Sequence, residues 1–126
     1  MKEVKFFVCE TCGNLVGMIH ESGVPMMCCG KKMTEIVPGT VEASREKHIP
    51  VAKVENGKVY VNVGSVDHPM TEEHLIEWVY LLTDKGGQRK VLSAGDAPNV
   101  TFALENETPI AVYAYCNLHG LWKAEL

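Results

Sequence analysis

Hydrophobic and polar positions alternate with a period of two along much of this chain. Between Lys58 and Val63, the valines at 59, 61 and 63 alternate with Tyr60 and Asn62, the mark of a strand with one buried face. Val51 to Glu55 precedes it, and the intervening Asn56-Gly57 is the strongest short hairpin signal because both residues accept positive φ. Further strands are predicted at 74–82, 88–93, 100–105, 109–116 and 121–125, with Gly86-Gly87, Ala97-Pro98-Asn99 and Asn106 as the turns between them. The stretch His74 to Leu82 carries two patterns. Ile76, Trp78 and Tyr80 alternate as on one face of a strand, while Leu75, Trp78, Val79 and Leu82 also fall at helical spacing. Aromatic and β-branched content favours the strand, and Thr71-Glu72-Glu73 is read as a single helical turn before it. About seven short strands of this kind fit an immunoglobulin-like β-sandwich.

The front of the chain has a different texture. Its pattern changes near Val37-Pro38-Gly39-Thr40, where Pro38-Gly39 is turn chemistry and a natural linker. Ahead of it, short strands are expected at Lys5 to Val8, Leu15 to Ile19 and Lys32 to Val37, folded around four cysteines. So short a segment buries too little apolar surface to stand alone, so a metal is expected to help hold it. Two domains follow, 1–37 and 38–126. The chain shows no internal repeat.

Composition narrows the classes. Apolar residues make up 46% of the 126 positions, enough for a real core. Net charge is -4 and no Lys/Arg block occurs, so nucleic acid is not an expected partner. The apolar runs fall well short of a membrane span, and the start, MKEVKFFVCETCG, carries no secretory apolar region. The expected location is the cytoplasm, where clustered cysteines bind metals or do redox work more often than they form disulfides.

Cys9-Glu-Thr-Cys12-Gly13 is a CxxC knuckle, whose two thiolates bind one metal on the inside of a tight turn. Cys28-Cys29-Gly30 offers a second pair, completing a four-sulfur tetrahedron that suits Zn²⁺ or a single iron. Adjacent ligands constrain one S–metal–S angle, a distortion that a redox iron tolerates and a purely structural zinc site does not need. A structural zinc site and a pair of disulfides are the competing readings.

Five histidines remain to be placed. His20 reads as a surface turn residue. His48 precedes a strand, His68 and His74 share one short loop, and Cys116-x-x-His119 is a ligand pair on a tight turn that Gly120 lets the chain leave. A single loop histidine is usually solvated. Four of them with one thiolate suit iron, copper or zinc. Five ligands exceed the four of tetrahedral zinc and leave one octahedral position open, the geometry of a catalytic iron.

With CETCG, CCG, EKHIPV, HPMTEEHLIEW and YCNLHGLWK in this order, the chain resembles desulfoferrodoxin, the two-iron form of superoxide reductase, over essentially its full length. The resemblance implies an all-β chain: a small desulforedoxin-like N-terminal domain, then a neelaredoxin-like, immunoglobulin-like seven-stranded β-sandwich. It implies two irons per subunit. Fe(Cys)₄ would be held by Cys9, Cys12, Cys28 and Cys29. Fe(His)₄Cys would have His48, His68, His74 and His119 in a plane, the last through Nδ1, and Cys116 on the axis. By the same resemblance Glu46 occupies the sixth position of the oxidised iron, and Lys47 attracts superoxide to it. A homodimer and a small donor such as rubredoxin are also implied. At the position two before the axial cysteine, where some relatives carry a charged residue, this chain has Ala114.

The implied activity is one-electron reduction of superoxide to hydrogen peroxide, which detoxifies reactive oxygen. A rubredoxin-like electron carrier would need only the cysteine cluster and would leave Cys116 and four histidines without purpose. A zinc-stabilised binding module and a superoxide dismutase also compete with it. Trp78, Trp122, Tyr113 and Tyr115 read as packing residues and the methionines as gap-fillers. The first iron is read as structural and dimerising before it is read as an electron relay.

Overall fold

The computed structural model describes residues 4–126, which divide after Val37 into two compact units. In the first, β1 (Lys5–Val8), β2 (Leu15–Met18) and β5 (Thr34–Ile36) form an antiparallel sheet in the order β2-β1-β5. Between β2 and β5 lies a two-residue hairpin, β3 (Met27–Cys28) with β4 (Lys31–Lys32), too short for any alternation to announce it. Buried apolar material here amounts to little beyond Phe6, Cys9 and Met33.

The second unit begins with a single helical turn, α1 (Arg45–His48), that no periodicity foretold. It stops at His48 for a local reason. Ile49 precedes Pro50, whose ring disfavours helical geometry in its neighbour, and Ile49 is extended at φ -70, ψ 118. Seven strands follow: β6 (Pro50–Glu55), β7 (Lys58–Val63), β8 (Ile76–Thr83), β9 (Gly86–Val91), β10 (Asn99–Ala103), β11 (Pro109–Cys116) and β12 (Gly120–Glu125). They form antiparallel sheets β10-β7-β6 and β12-β11-β8-β9, the three-plus-four layering of an immunoglobulin-like sandwich. Asn56 and Gly57 both take positive φ, 53° and 72°, and close the β6–β7 hairpin as their sequence requires. Val59, Val61, Val63, Ile76, Val79, Leu81, Phe102 and Val112 fill the core. No helix among the described residues is long and apolar enough to cross a membrane.

Three local expectations change. Residues 71–74 are bends, not a helical turn, and the strand starts at Ile76, two residues after His74. Gly86-Gly87 is not the turn. Asp84-Lys85 is, and the glycines open β9, where a Cβ on Gly87 would collide with the Tyr80 phenol. Finally, Ile76 does not share a face with Trp78. Tyr115 pairs with Trp78 but Cys116 pairs with Ile76, so Glu77 is an extra residue in β8. This bulge keeps Ile76 on the core side with Val79 and Leu81, opposite Cys116.

Candidate metal centres

All five cysteines are free thiols, which removes the disulfide reading. In the first unit Cys9 and Cys12 sit on the turn after β1, with Gly13 at φ 83 donating its N–H to the Cys9 carbonyl at 2.8 Å. Cys28 and Cys29 come from the β3–β4 hairpin. To bring two neighbouring side chains to one point, Cys29 adopts φ 52 and Gly30 φ 72, so the strain expected of adjacent ligands falls on the backbone. Sγ of Cys12 and Cys28 are 3.6 Å apart, those of Cys28 and Cys29 4.0 Å. These bracket about 3.8 Å, the edge of a tetrahedron with metal–sulfur bonds of about 2.3 Å. The Cys12 N–H approaches Cys9 Sγ at 3.5 Å and is the main reason that thiol falls to about 6. The crowd of sulfurs pushes Cys29 up to about 12, led by Cys12. Without a cation these thiols cannot all ionise together; a metal resolves the conflict.

The second cluster lies within the sandwich unit. His48 ends α1, His68 closes the loop after β7, His74 precedes β8, and Cys116 and His119 bracket the β11–β12 turn. Neighbouring ring centroids are 4.6 Å apart for His48–His68, 4.6 Å for His68–His74, 5.1 Å for His74–His119 and 5.0 Å for His119–His48. Each neighbouring pair is nearly perpendicular, at 77° to 83°, whereas His48 and His74, 6.4 Å apart across the ring, tilt by only 31°. Four imidazoles therefore form a square of alternating rings. Sγ of Cys116, fully buried, lies within 4.8 Å of donor atoms of His48, His68 and His74 and 3.9 Å from His119 Nδ1.

The hydrogen bonds fix what the inner nitrogens are. Nδ1–H of His48 donates to the Ser44 carbonyl at 2.6 Å, and Nδ1–H of His68 to the Pro69 carbonyl at 2.6 Å. In each neutral ring the other nitrogen is then a bare lone pair. The two lone pairs, His48 Nε2 and His68 Nε2, face each other at 3.2 Å with no proton to share. Nδ1 of His119 approaches His48 Nε2, also at 3.2 Å, and His74 Nε2 is buried without any partner. Converging bare acceptors repel unless a cation lies between them, so the donor set fits a metal. Burial lowers the basicity of His48, His68 and His74, that of His68 to about 4, and raises that of Cys116. Neutral imidazoles are the form that binds metal.

Loss of the metal should expose this in the pH dependence of stability. Metal-free His68 has a folded value near 4 against an ordinary 6.5, so the unfolded chain binds the extra proton between them. Stability of the metal-free sandwich is expected to be full above pH 6.5 and to fall as pH drops toward 4, by up to about 3 kcal/mol from His68. Thermal melts of chelator-treated protein at pH 7.5 and 4.5 check this; a melting temperature unchanged between them would contradict it.

Several further residues hold the cluster in shape. Asn117 accepts the Leu75 N–H at 3.0 Å and donates to the Glu73 carbonyl at 2.9 Å, tying both flanks of His74 to the Cys116 turn. Trp122, read from sequence as packing, donates its indole N–H to the His119 carbonyl at 3.0 Å and lies 5.1 Å from the His48 ring. The backbone N–H groups of Leu118 and His119 lower the Cys116 thiol and offset part of the rise that burial causes. The Asn117 and Trp122 contacts have no spacing signature, since each uses a backbone atom or joins distant segments, whereas backbone N–H groups near Cys116 are what a tight turn from Asn117 to His119 leads one to expect. Lys47 is half-buried beside the cluster, and its charge helps lower His48 and His74. Glu46 is exposed on the same turn and stands outside the donor group. His20 is an exposed residue in a bend.

A family model described as Desulfoferrodoxin matches residues 40–125. The chain belongs to the desulfoferrodoxin family. A desulfoferrodoxin from Syntrophotalea carbinolica is 43% identical over 124 residues, covering 98% of each chain. Another from Nitratidesulfovibrio vulgaris is 42% identical over 123 residues, covering 98% of this chain and 97% of the relative. Among solved structures, a superoxide reductase from Treponema pallidum superposes with a TM-score of 0.83 at 44% identity, covering 98% of this chain and all of that one. Family membership and donor geometry agree: the chain carries the ligand sets of two iron centres, four cysteines in one unit and four histidines with a cysteine in the other.

Proposed function

We propose that this chain is a superoxide reductase, taking superoxide to hydrogen peroxide with one electron and two protons. The observation that carries this reading is the square of four imidazoles with Cys116 buried against it, a five-donor set that would leave an iron room for one small ligand. We assign His48, His68, His74, His119 and Cys116 as the residues that would hold one iron, and Cys9, Cys12, Cys28 and Cys29 as those that would hold the other. Ferrous iron held by these residues would supply the electron, and the Cys116 thiolate would raise its donating power.

The chain's own residues do the rest. Lys47 places a positive charge beside His48 and His74 on a molecule of net charge -4, which locally reverses the repulsion a superoxide anion meets. The N–H groups of Leu118 and His119 draw charge from the Cys116 sulfur and set how strongly it donates. Exposed Glu46, on the same turn as Lys47, is the carboxylate that would be available to an oxidised iron in place of substrate. The electron must be replaced from outside, and a small iron–sulfur carrier of the rubredoxin kind fits that need. The four-cysteine centre keeps its small unit folded and supports a homodimer, and the cytoplasm is the compartment in which free thiols of this kind persist.

Metal analysis with a visible spectrum tests the assignment. Two irons per chain are expected, with separate sulfur-to-iron bands from the four-cysteine centre and from ferric iron on Cys116; zinc alone would remove the redox reading. For Lys47→Ala the second-order rate with superoxide should fall by about tenfold at low salt and lose most of its ionic-strength dependence. A variant that keeps both the rate and its salt slope would remove Lys47 from substrate steering.

A further inference from the structure

The turn that carries Glu46, Lys47 and His48 is only four residues long, and a helix of that length does not hold itself. Its carbonyls show what does. Ser44 O accepts from His48 Nδ1, and Arg45 O accepts from the Ile49 N–H at 2.9 Å. The helical donor for Glu46 O would be the residue four further on, which is Pro50 and has no N–H. The loop after β7 takes over that role. The Val66 N–H donates to Glu46 O at 2.9 Å and the Ser65 hydroxyl donates to the same oxygen at 3.2 Å. Gly64 lets the loop lie backbone against backbone. A Cβ there would stand 2.5 Å from Glu46 O, 2.8 Å from Ile49 O and 3.1 Å from the Lys47 carbonyl carbon. Asn62 stiffens the loop from beneath, donating through Nδ2 to Gly64 O at 2.6 Å and to Asp67 Oδ1 at 2.9 Å. The same loop ends in His68, whose N–H is held by Val63 O at 2.8 Å.

From this arrangement we propose that Ser65 is a positioning residue for Lys47: with the Gly64–Val66 backbone it clamps Glu46 O in place of the donor that Pro50 lacks. The clamp fixes the turn at one distance from the His68 loop, so the Lys47 charge stays near enough to act on His48 and His74. Its functional consequence rests on the reading of Lys47 as the group that steers superoxide. Ser65 is itself exposed, and its loss removes one hydrogen bond without opening the core.

The test uses iron-loaded protein and compares Ser65→Ala, Ser65→Thr and Lys47→Ala with wild type. Two quantities are read: amide exchange of the peptide covering residues 44–50, and the ionic-strength slope of the rate with superoxide. Ser65→Ala should speed exchange in that peptide about three- to tenfold, the range one net hydrogen bond controls, while Ser65→Thr stays near wild type. Ser65→Ala should also flatten the salt slope part of the way toward that of Lys47→Ala, which loss of global stability alone would not do. Wild-type exchange in Ser65→Ala overturns the clamp. Faster exchange with an unchanged slope, where Lys47→Ala does flatten, overturns the positioning role. If Lys47→Ala keeps the wild-type slope, the steering reading itself fails and the positioning role falls with it, whatever the exchange shows.

Discussion

Replacing Cys116 by serine should abolish the sulfur-to-iron band of the histidine-rich centre and leave the band of the four-cysteine centre untouched. Cys116 is fully buried at the end of β11, held opposite Ile76 by the bulge at Glu77 and facing donor atoms of the histidines. Among the described residues, no other cysteine lies in that donor group. Serine is nearly isosteric, so the sandwich should still fold, and the hydroxyl is a far poorer donor than a thiolate. Loss of groups that merely orient ligands typically costs about 10- to 100-fold in affinity or activity; loss of the thiolate itself should cost more than about 100-fold in the rate with superoxide. A Cys116→Ser protein that kept both band and rate would mean that the thiolate is not a ligand.

The second large effect is expected in the other unit. Its buried apolar core is little more than Phe6, Cys9 and Met33, and its sheet strands run four, four and three residues. Structural metal binding in small domains is worth on the order of 10–16 kcal/mol, far more than such a core contributes. Cys9→Ser should therefore unfold residues 4–37, seen as loss of amide protection throughout that segment. The histidine-rich donors all belong to the unit that begins at Pro38, so the rate with superoxide should stay within about twofold of wild type. A collapse of that rate in an otherwise folded sandwich would show instead that the four-cysteine centre takes part in the reaction.

Much of this arrangement is legible in the sequence because its signals are local. Asn56-Gly57 fixes one hairpin, the alternating valines of β7 fix its face, and Cys9-x-x-Cys12 and Cys116-x-x-His119 each put two donors on one turn. His48, His68, His74 and His119 could be grouped with Cys116 as five donors from the residues alone, because each sits in a loop or at a strand end; naming the metal as iron and giving each donor its role took the resemblance. What stayed hidden depends on contacts between distant segments or on single-residue irregularities. The bulge at Glu77 reverses the face of Ile76, yet the alternation Ile76, Trp78, Tyr80 reads as unbroken. Gly86 and Gly87 look like a turn, but Gly87 is required by the Tyr80 ring across the strand. The α1 turn is too short for a helical period, and its decisive feature, Pro50 at the position where a donor to Glu46 O should stand, becomes visible only when the Gly64–Val66 loop is seen filling the gap.

The central claim is that the histidine-rich site gives one electron to superoxide and releases peroxide without making oxygen. Rapid mixing of the fully reduced protein with superoxide, with peroxide and O₂ both counted, tests it most directly. One peroxide per superoxide consumed, with one reducing equivalent lost from the protein and no O₂, is expected. O₂ formed alongside peroxide would make the protein a dismutase, and a reduced protein that ignored superoxide would leave it an electron carrier.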